Sequence, residues 1–168
     1  MSSEYSMQRG RFLDVTGKFS GKRILIVGDV GVDRYTIGTA SRLSPEAPVP
    51  VVSVSQQKDK LGLAANVADN VKAFGAVPFL ASLVGDDRCG EELFQLLKKN
   101  DISGQYVVRH GSRTTTLKER VVAQDQQVVR IDHETTAPLS AEAEAAYLEK
   151  ILPILGGFDA IIIEDYGK

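Results

Sequence analysis

The sequence predicts an α/β fold with a largely parallel sheet and a small antiparallel sheet standing off it. Three observations lead there. Short, nearly continuous runs of branched apolar residues, clearest at Arg23 to Gly28 and Asp159 to Glu164, have the form of parallel strands buried on both faces. Between such runs lie segments whose apolar residues recur at helical spacing. Where that alternation breaks, β-branched stretches follow one another with only polar turns between them, too close for crossover helices.

Each element has its own warrant. Arg23 to Gly28 (RILIVG) ends at Gly-Asp, and Pro78 to Val84 and Asp159 to Glu164 read in the same way. Leu63, Val67, Val71 and Phe74 predict a helix closed by Gly75, and Leu93, Leu96 and Leu97 a second within Cys89 to Asn100. A third is predicted over Ser140 to Leu155, with Ser140 as cap, Glu142 and Glu144 in the first turn and Tyr147, Leu148, Ile151, Leu152 and Leu155 as its apolar stripe. Strand, helix, strand, helix, a break, then helix and strand is the order of an α/β layer. The antiparallel insertion is expected from Val49 to Ser55, Tyr106 to Arg109, Thr114 to Ala123 and Gln127 to Asp132. Gln124-Asp125-Gln126 is short enough to join the last two as a hairpin. Residues 1–20 read as an N-terminal extension or short helix, and 21–168 as one unit.

Composition narrows the functions open to the chain. With 168 residues, 43% hydrophobic and 25% charged, it is an ordinary globular sequence able to bury roughly 70% of its unfolded surface. Twenty basic residues against 22 acidic ones, with no long like-charge block, mark neither a nucleic-acid nor a membrane surface. No apolar run approaches the roughly 20 residues that span a bilayer, and Met1 to Gly10 lacks the apolar centre of a secretion signal, so a cytoplasmic setting is expected. Cys89 is the one cysteine, which excludes an intramolecular disulfide and a Cys-rich zinc site and reads as a buried structural thiol.

In an open parallel sheet, ligands bind beyond the carboxyl ends of the strands. Asp29, Asp33, Asp86, Asp87 and Asp165 follow predicted strands. Ionised carboxylates accept hydrogen bonds and donate none, which suits a hydroxyl-rich ligand or proton abstraction from one. Turn capping is the alternative for each, and the preferred one for Asp86 and Asp87 just before a predicted helix. Gly62-Leu63-Ala64-Ala65-Asn66 opens a helix with small residues that admit a ligand to the backbone, and Asn66 can donate and accept toward a polyol; ordinary helix packing uses such residues too. Lys118 and Arg120 share one strand face, as do Arg130 and Asp132, and these faces either hold a phosphate or hydroxyls or are solvated. His110 and His133 read as loop residues without metal-ligand spacing. Neither nucleotide-binding glycine motif is present.

Taken in order, GDVGVDRYTIGTASRLSPEAPVPVVSV at Gly28 to Val54, LGLAANVADN at Leu61 to Asn70, TTLKERVVAQDQQVVRIDHE at Thr115 to Glu134 and EDYGK at Glu164 to Lys168 resemble the ribokinase-like (PfkB) carbohydrate kinases. Within that family the chain is most similar to the D-glycero-β-D-manno-heptose-7-phosphate kinases, from about Lys18 onward. The resemblance implies a three-layer α/β body with a β-sheet lid that covers the sugar and often makes a dimer contact. It implies ATP and Mg2+ as cofactors and transfer of the γ-phosphoryl to a sugar hydroxyl. For the heptose kinases the product is the 1,7-bisphosphate, on the route to ADP-heptose and the lipopolysaccharide core.

Carried over by residue, the resemblance puts Asp29 and Asp33 in the first sugar-binding segment, Gly62 and Asn66 in the glycine-rich sugar motif, Lys118 and Arg120 on the lid, and Asp165 at the last strand end. Two departures stand out. The family carries two adjacent glycines where this chain has Gly62-Leu63, so the Leu63 side chain is expected to intrude where backbone approaches the sugar. The family's nucleotide site, anion hole and catalytic Asp lie beyond Lys168. The expectation is therefore a sugar-binding, lid-bearing N-terminal part (a fragment, a truncated product or half of a split enzyme) that does not turn over alone. The competing reading is a non-catalytic sugar-phosphate-binding or dimerisation module that pairs with a complete kinase. Expected partners are a sugar phosphate and a second copy through the lid, or a C-terminal half. A receiver-like phospho-acceptor domain has no place for the lid insertion.

Overall fold

The computed structural model describes residues 9–168, with positions 1–8 of the expected N-terminal extension outside the described residues. In chain order the elements are α1 Arg9–Gly17, β1 Arg23–Gly28, β2 Val30–Leu43, β3 Pro50–Leu63, α2 Ala64–Ala73, β4 Val77–Val84, α3 Arg88–Lys99, β5 Ser103–Arg109, β6 Thr116–Ala123, β7 Gln126–His133, α4 Ala141–Ile151, a 3-10 turn Leu152–Gly157, and β8 Ala160–Glu164. They form two four-stranded sheets: a body of order β5-β4-β1-β8 and a lid of order β3-β2-β6-β7.

The body is parallel throughout. Successive side chains of a strand point to opposite faces. Ile24 and Ile26 of β1 therefore pack with Ala64, Ala65 and Ala68 of α2 and Leu93 and Leu97 of α3, while Leu25 packs with Ala81 and Ile151 of α4 on the other side. This is the three-layer arrangement, and it explains why RILIVG is apolar at successive positions rather than alternating. Helix ends follow local chemistry. Gly75 leaves α2 at φ 85°, a left-handed residue where a Cβ would be strained. The Asp87 carboxylate accepts from Gly90 N at 2.7 Å to cap α3, and Ser140 Oγ from Ala143 N at 3.2 Å to cap α4. The predicted third helix runs as α4 and then as the 3-10 turn, where Pro153 has no N–H to continue the α ladder.

Three expectations need correction. The lid is mixed, not antiparallel: β2 pairs with β6 in parallel, and each pairs antiparallel with a returning partner, β3 and β7 respectively. Both β2 and β6 lead outward from the carboxyl ends of parallel body strands, so they travel side by side in one direction. Tyr106 to Arg109 lies in β5 at the edge of the body, not in the lid. Helix α3 supplies the crossover that returns the chain parallel to β4, and Val107 is buried in the core. Third, Asp33, expected just after a strand end, lies instead within β2, which with β3 is one of two 14-residue lid strands.

The lid hairpin forms as expected. Gln124 at φ 52° and Asp125 at φ 62° make the two-residue turn between Ala123 and Gln126, and positive φ at both central positions is what the strand twist requires. His133 ends β7 rather than lying in a loop. No described helix is long and apolar enough to cross a membrane.

Candidate functional site

Where the lid meets the body, the carboxyl ends of β1, β4 and β8 surround a cavity of about 260 Å3. Asp29, Glu164 and Asp165 bring carboxylates to it, Lys168 and Arg113 bring cations, and Tyr147 forms part of its α4 side. Asp29 occupies the one-residue joint between β1 and β2. Its Oδ2 accepts from the backbone N–H groups of Tyr166 at 2.8 Å and Lys168 at 3.2 Å, which folds the segment after β8 back over the strand ends. The expected ligand carboxylate is thus also a structural anchor. Asp165 is exposed, and its Oδ1 accepts from Gly167 N at 2.8 Å in a local turn. The Tyr147 hydroxyl donates to Ala81 O at 3.1 Å; burial, helped by the negative charge of Asp29, pushes its pKa up to about 12.

The second cluster belongs to the lid. Strand register sets Lys60, Asp33, Lys118 and Asp132 side by side in one row, and Lys58, Tyr35, Arg120 and Arg130 in the next. Signs alternate along the first row, so each charge has an opposite neighbour. Arg120 Nη1 donates to Asp33 Oδ1 at 2.6 Å, and that bond raises the guanidinium pKa. Tyr35 lies between two cations, with Lys60 Nζ 5.1 Å and Arg120 Cζ 5.5 Å from its ring centre. Gly62 closes the base of this face: a Cβ there would stand 3.2 Å from Asp33 Cγ and 3.1 Å from Gly31 O, tighter than ordinary contact.

One carboxylate joins the clusters. Glu134, just after β7, accepts from Lys168 Nζ at 2.7 Å and from Lys118 Nζ at 3.1 Å, while Lys118 also reaches Asp132 at 3.3 Å. The Lys168 hydrogen bond, seconded by Lys118 against partial burial, holds the Glu134 carboxyl below its ordinary range. Burial acts to raise Asp132, but hydrogen bonds from Arg130 and Lys118 outweigh it and hold that carboxyl low as well. A line of charge thus runs from Lys168, beside Asp29 on the body, through Glu134 to Lys118 on the lid.

Asp33, Gly62, Lys118 and Arg120 are therefore brought together, and Asp29 and Asp165 meet in the cavity. Asn66 does not join them. It is exposed and lines a separate hollow of about 220 Å3 with Lys58, Asp69 and Lys99. Helix α2 buries Ala64, Ala65 and Ala68, and at 100° per residue position 66 turns away from that side. The helix's first N–H is also taken, by Asp29 O at 2.9 Å. Sequence reasoning missed Glu134 and Arg113; Glu134 ends the quoted IDHE as Lys168 ends EDYGK, but only the fold makes these two neighbours. Asp87 serves the cap and Thr115 N at 2.8 Å, as its position suggested. Cys89 is half-buried, and burial pushes its thiol up to about 12, an unreactive state. Among the described residues no cluster of three or more His, Cys, Asp or Glu is arranged to hold a metal ion. Nor do they include a GxGxxG or GxxxxGK[ST] phosphate loop.

Comparison with known proteins matches residues 22–157 to the pfkB family carbohydrate kinases. The chain belongs to that family. Over 147 residues it is 43% identical to the bifunctional protein HldE of Helicobacter pylori strain Shi470, covering 88% of this chain and 32% of that protein. It is 39% identical over 162 residues to HldE of Pelobacter propionicus, covering 96% and 33%. The chain thus spans about a third of the length of these curated relatives. Among solved structures, phosphofructokinase-2 from Escherichia coli in complex with fructose-6-phosphate aligns with TM-score 0.63 at 18% identity, covering 88% of this chain and 47% of that one. A carbohydrate kinase from Agrobacterium tumefaciens aligns with TM-score 0.62 at 17% identity, covering 84% and 45%. These likenesses establish a ribokinase-like fold.

In this pfkB member Leu63 adopts φ 56° and ψ −134° at the start of α2 with no side-chain cap. That region is open to glycine and closed to a Cβ, so strain of about 1–3 kcal/mol is stored there. Leu63→Gly releases the strain but adds freedom to the unfolded chain worth about 0.5–1 kcal/mol. The expected net gain is about 1 kcal/mol in urea unfolding, with no gain for Leu63→Ala, which keeps the strain; equal midpoints for wild type and Leu63→Gly would refute it. Acid tests the Glu134 clasp. Because the folded pKa is depressed, its contribution is complete above the ordinary value of 4.5 and is lost as pH falls through the lower folded value. Glu134→Gln is expected to flatten the fall in urea midpoint below that pH; an unaltered acid profile would show that the clasp adds nothing.

Proposed function

We propose that this chain is the sugar-binding, lid-bearing part of a kinase that phosphorylates D-glycero-β-D-manno-heptose 7-phosphate to the 1,7-bisphosphate, in the ADP-heptose and lipopolysaccharide core route. The observation that carries this reading is identity of 39–43% to proteins named bifunctional HldE over nearly the whole chain. The resemblance of its sugar motifs to heptose-7-phosphate kinases supports it further. The reaction moves the γ-phosphoryl of ATP onto the sugar's anomeric oxygen, which loses its proton, and a cytoplasmic setting follows from the use of ATP.

In this reading the carboxylates of Asp33 and Asp29 accept hydrogen bonds from sugar hydroxyls, Asp165 adds an acceptor at the cavity rim, and Gly62 leaves room beside Asp33. Lys118 and Arg120 face the substrate's phosphate, exchanging their bonds to Asp132, Glu134 and Asp33 for bonds to it. Asn66 is left out of this arrangement, since it faces a different hollow. The acceptors and cations so assigned suit a sugar phosphate, and ATP and Mg2+ enter this reading through family resemblance.

Calorimetric titration with D-glycero-β-D-manno-heptose 7-phosphate tests the reading. Saturable binding is expected, weakened at least about tenfold by Asp33→Ala; wild type that takes up no heat would overturn it. A second, non-catalytic reading is favoured by the fully exposed strand β7, where Val128, Val129 and Ile131 lie open, and by Ile163, 75% exposed on the unpaired edge of β8. It makes the chain a pairing module for a second copy or for a complete kinase. Light scattering is expected to show a dimer, and a monodisperse monomer would count against pairing.

A further inference from the structure

The two faces of lid strand β2 carry adjacent charges with opposite tasks. Asp33 points to the side occupied by Lys118 and Arg120, and Arg34 points to the underside, across from Asp59 on β3 and Glu119 on β6. Arg34 grips Asp59 with a two-pronged fork, Nε to Oδ1 at 2.8 Å and Nη2 to Oδ2 at 2.8 Å. The same Nη2 reaches Glu92 Oε2 on body helix α3 at 2.7 Å. Glu92's other oxygen accepts from Arg88 Nε at 2.9 Å, on its own helix. Arg34 is only 15% exposed, and its partners about a quarter, so water screens this bond less than it does most surface pairs.

Below this row the underside is apolar: Leu61, Val32 and Leu117 sink into the core with Leu93 and Leu97. Above it, two residues further out, the outer strands are open, with Gln57 exposed and Val129 46% exposed, while between them Thr36 is buried and its hydroxyl donates to Glu119 within the lid itself. The Arg34 row therefore lies where the lid leaves its apolar seat. A charge bond at that place sets the angle of the strands beyond it, as a strut sets a bracket, and apolar packing has no directionality with which to do the same.

We propose that the Arg34–Glu92 bond is a strut that sets how far the lid stands from the body, and that Glu92 is a positioning residue acting through Arg34 on Asp33. The proposal rests on the sugar-binding reading for its consequence but not for its geometry. Loss of the strut lets Asp33, Lys118 and Arg120 move relative to Asp29 while each strand keeps its own pairing.

The test uses the full chain with spin labels at Gln57→Cys on the lid and Lys98→Cys on α3, in a Cys89→Ser background. Glu92→Gln is expected to widen the label–label distance distribution while leaving the urea midpoint nearly unchanged. Affinity for heptose 7-phosphate should fall about tenfold. Arg88→Ala, which strips the same Glu92 of its other partner on the body side only, is expected to leave the distribution as it was. Arg34→Lys keeps the charge but loses the fork, so it should widen the distribution in part, and it carries the comparison if Glu92→Gln does not fold. An unchanged distribution in both variants, or a fall in urea midpoint without widening, overturns the strut and makes the bond merely stabilising. Wild type that binds no sugar phosphate overturns the substrate reading alone, because the distance measurement stands without it.

Discussion

The structure depends on the hydrogen bonds gathered by one residue at the joint of body and lid. Asp29 N donates to Glu164 O at 3.1 Å, its carbonyl accepts from Ala64 N at 2.9 Å, and its carboxylate takes the amides of Tyr166 and Lys168. Through these bonds β1 is tied to the end of β8, to the first turn of α2 and to the segment that covers the strand ends. Gly28 makes the joint possible. A side chain there would collide with the Glu164 carbonyl, so only glycine lets β1 and β8 approach closely as the chain turns out into β2. A sheet of this kind places chemistry at its strand ends, and Asp29 gathers those ends into one cavity.

Beyond that joint the lid meets a different physical problem. A four-stranded sheet projecting from a body cannot bury both faces, and β7 is exposed along its whole length. Apolar packing holds only the lid's base, at Val32, Leu61 and Leu117. Further out the lid is held by charge: Arg34 to Asp59 and Glu92 beneath, and Asp33 to Arg120 and Lys118 to Glu134 above. Isolated surface pairs contribute about 0–1 kcal/mol each, so such a sheet is firmly placed only where pairs share partners. Sharing is what the lid shows. Glu134 serves two lysines, Lys118 two carboxylates, and Arg34 two carboxylates. The same shared ions give the site its character, because an anionic, hydroxyl-rich ligand offers these groups the partners they already have in one another.

Much of the candidate site was legible in the sequence, and the part that was not has a definite cause. Lys118 and Arg120 were placed on one face because strand alternation is local, and Gly62 was flagged because small residues at a helix start leave open space. Asn66, expected beside Gly62 and Asp33, lines a separate hollow, because the rotation of α2 is set by Ala64, Ala65 and Ala68 burying against the sheet. Asp29 was expected as a ligand group and is in addition a backbone anchor, which no local pattern signals. Glu134 and Arg113 were not singled out, because charge alone does not mark a residue whose partner lies 34 positions away, as Lys168 does from Glu134.

By itself the sequence determined what depends on near neighbours: the apolar runs of β1, β4 and β8, the caps at Asp87 and Ser140, the break at Gly75, a hairpin through Gln124-Asp125-Gln126, and membership of a kinase family through motifs in order. Tertiary structure alone decided which strands lie together. It put β5 in the body and set β2 parallel to β6, because direction of travel from the body sheet, not local propensity, governs that pairing. It also placed Leu63 in a glycine conformation and aligned Glu134 between two lysines. Periodicity reports only the face a residue shows. What that face meets is settled by segments far along the chain, when hydrogen bonds and charge pairs are satisfied together.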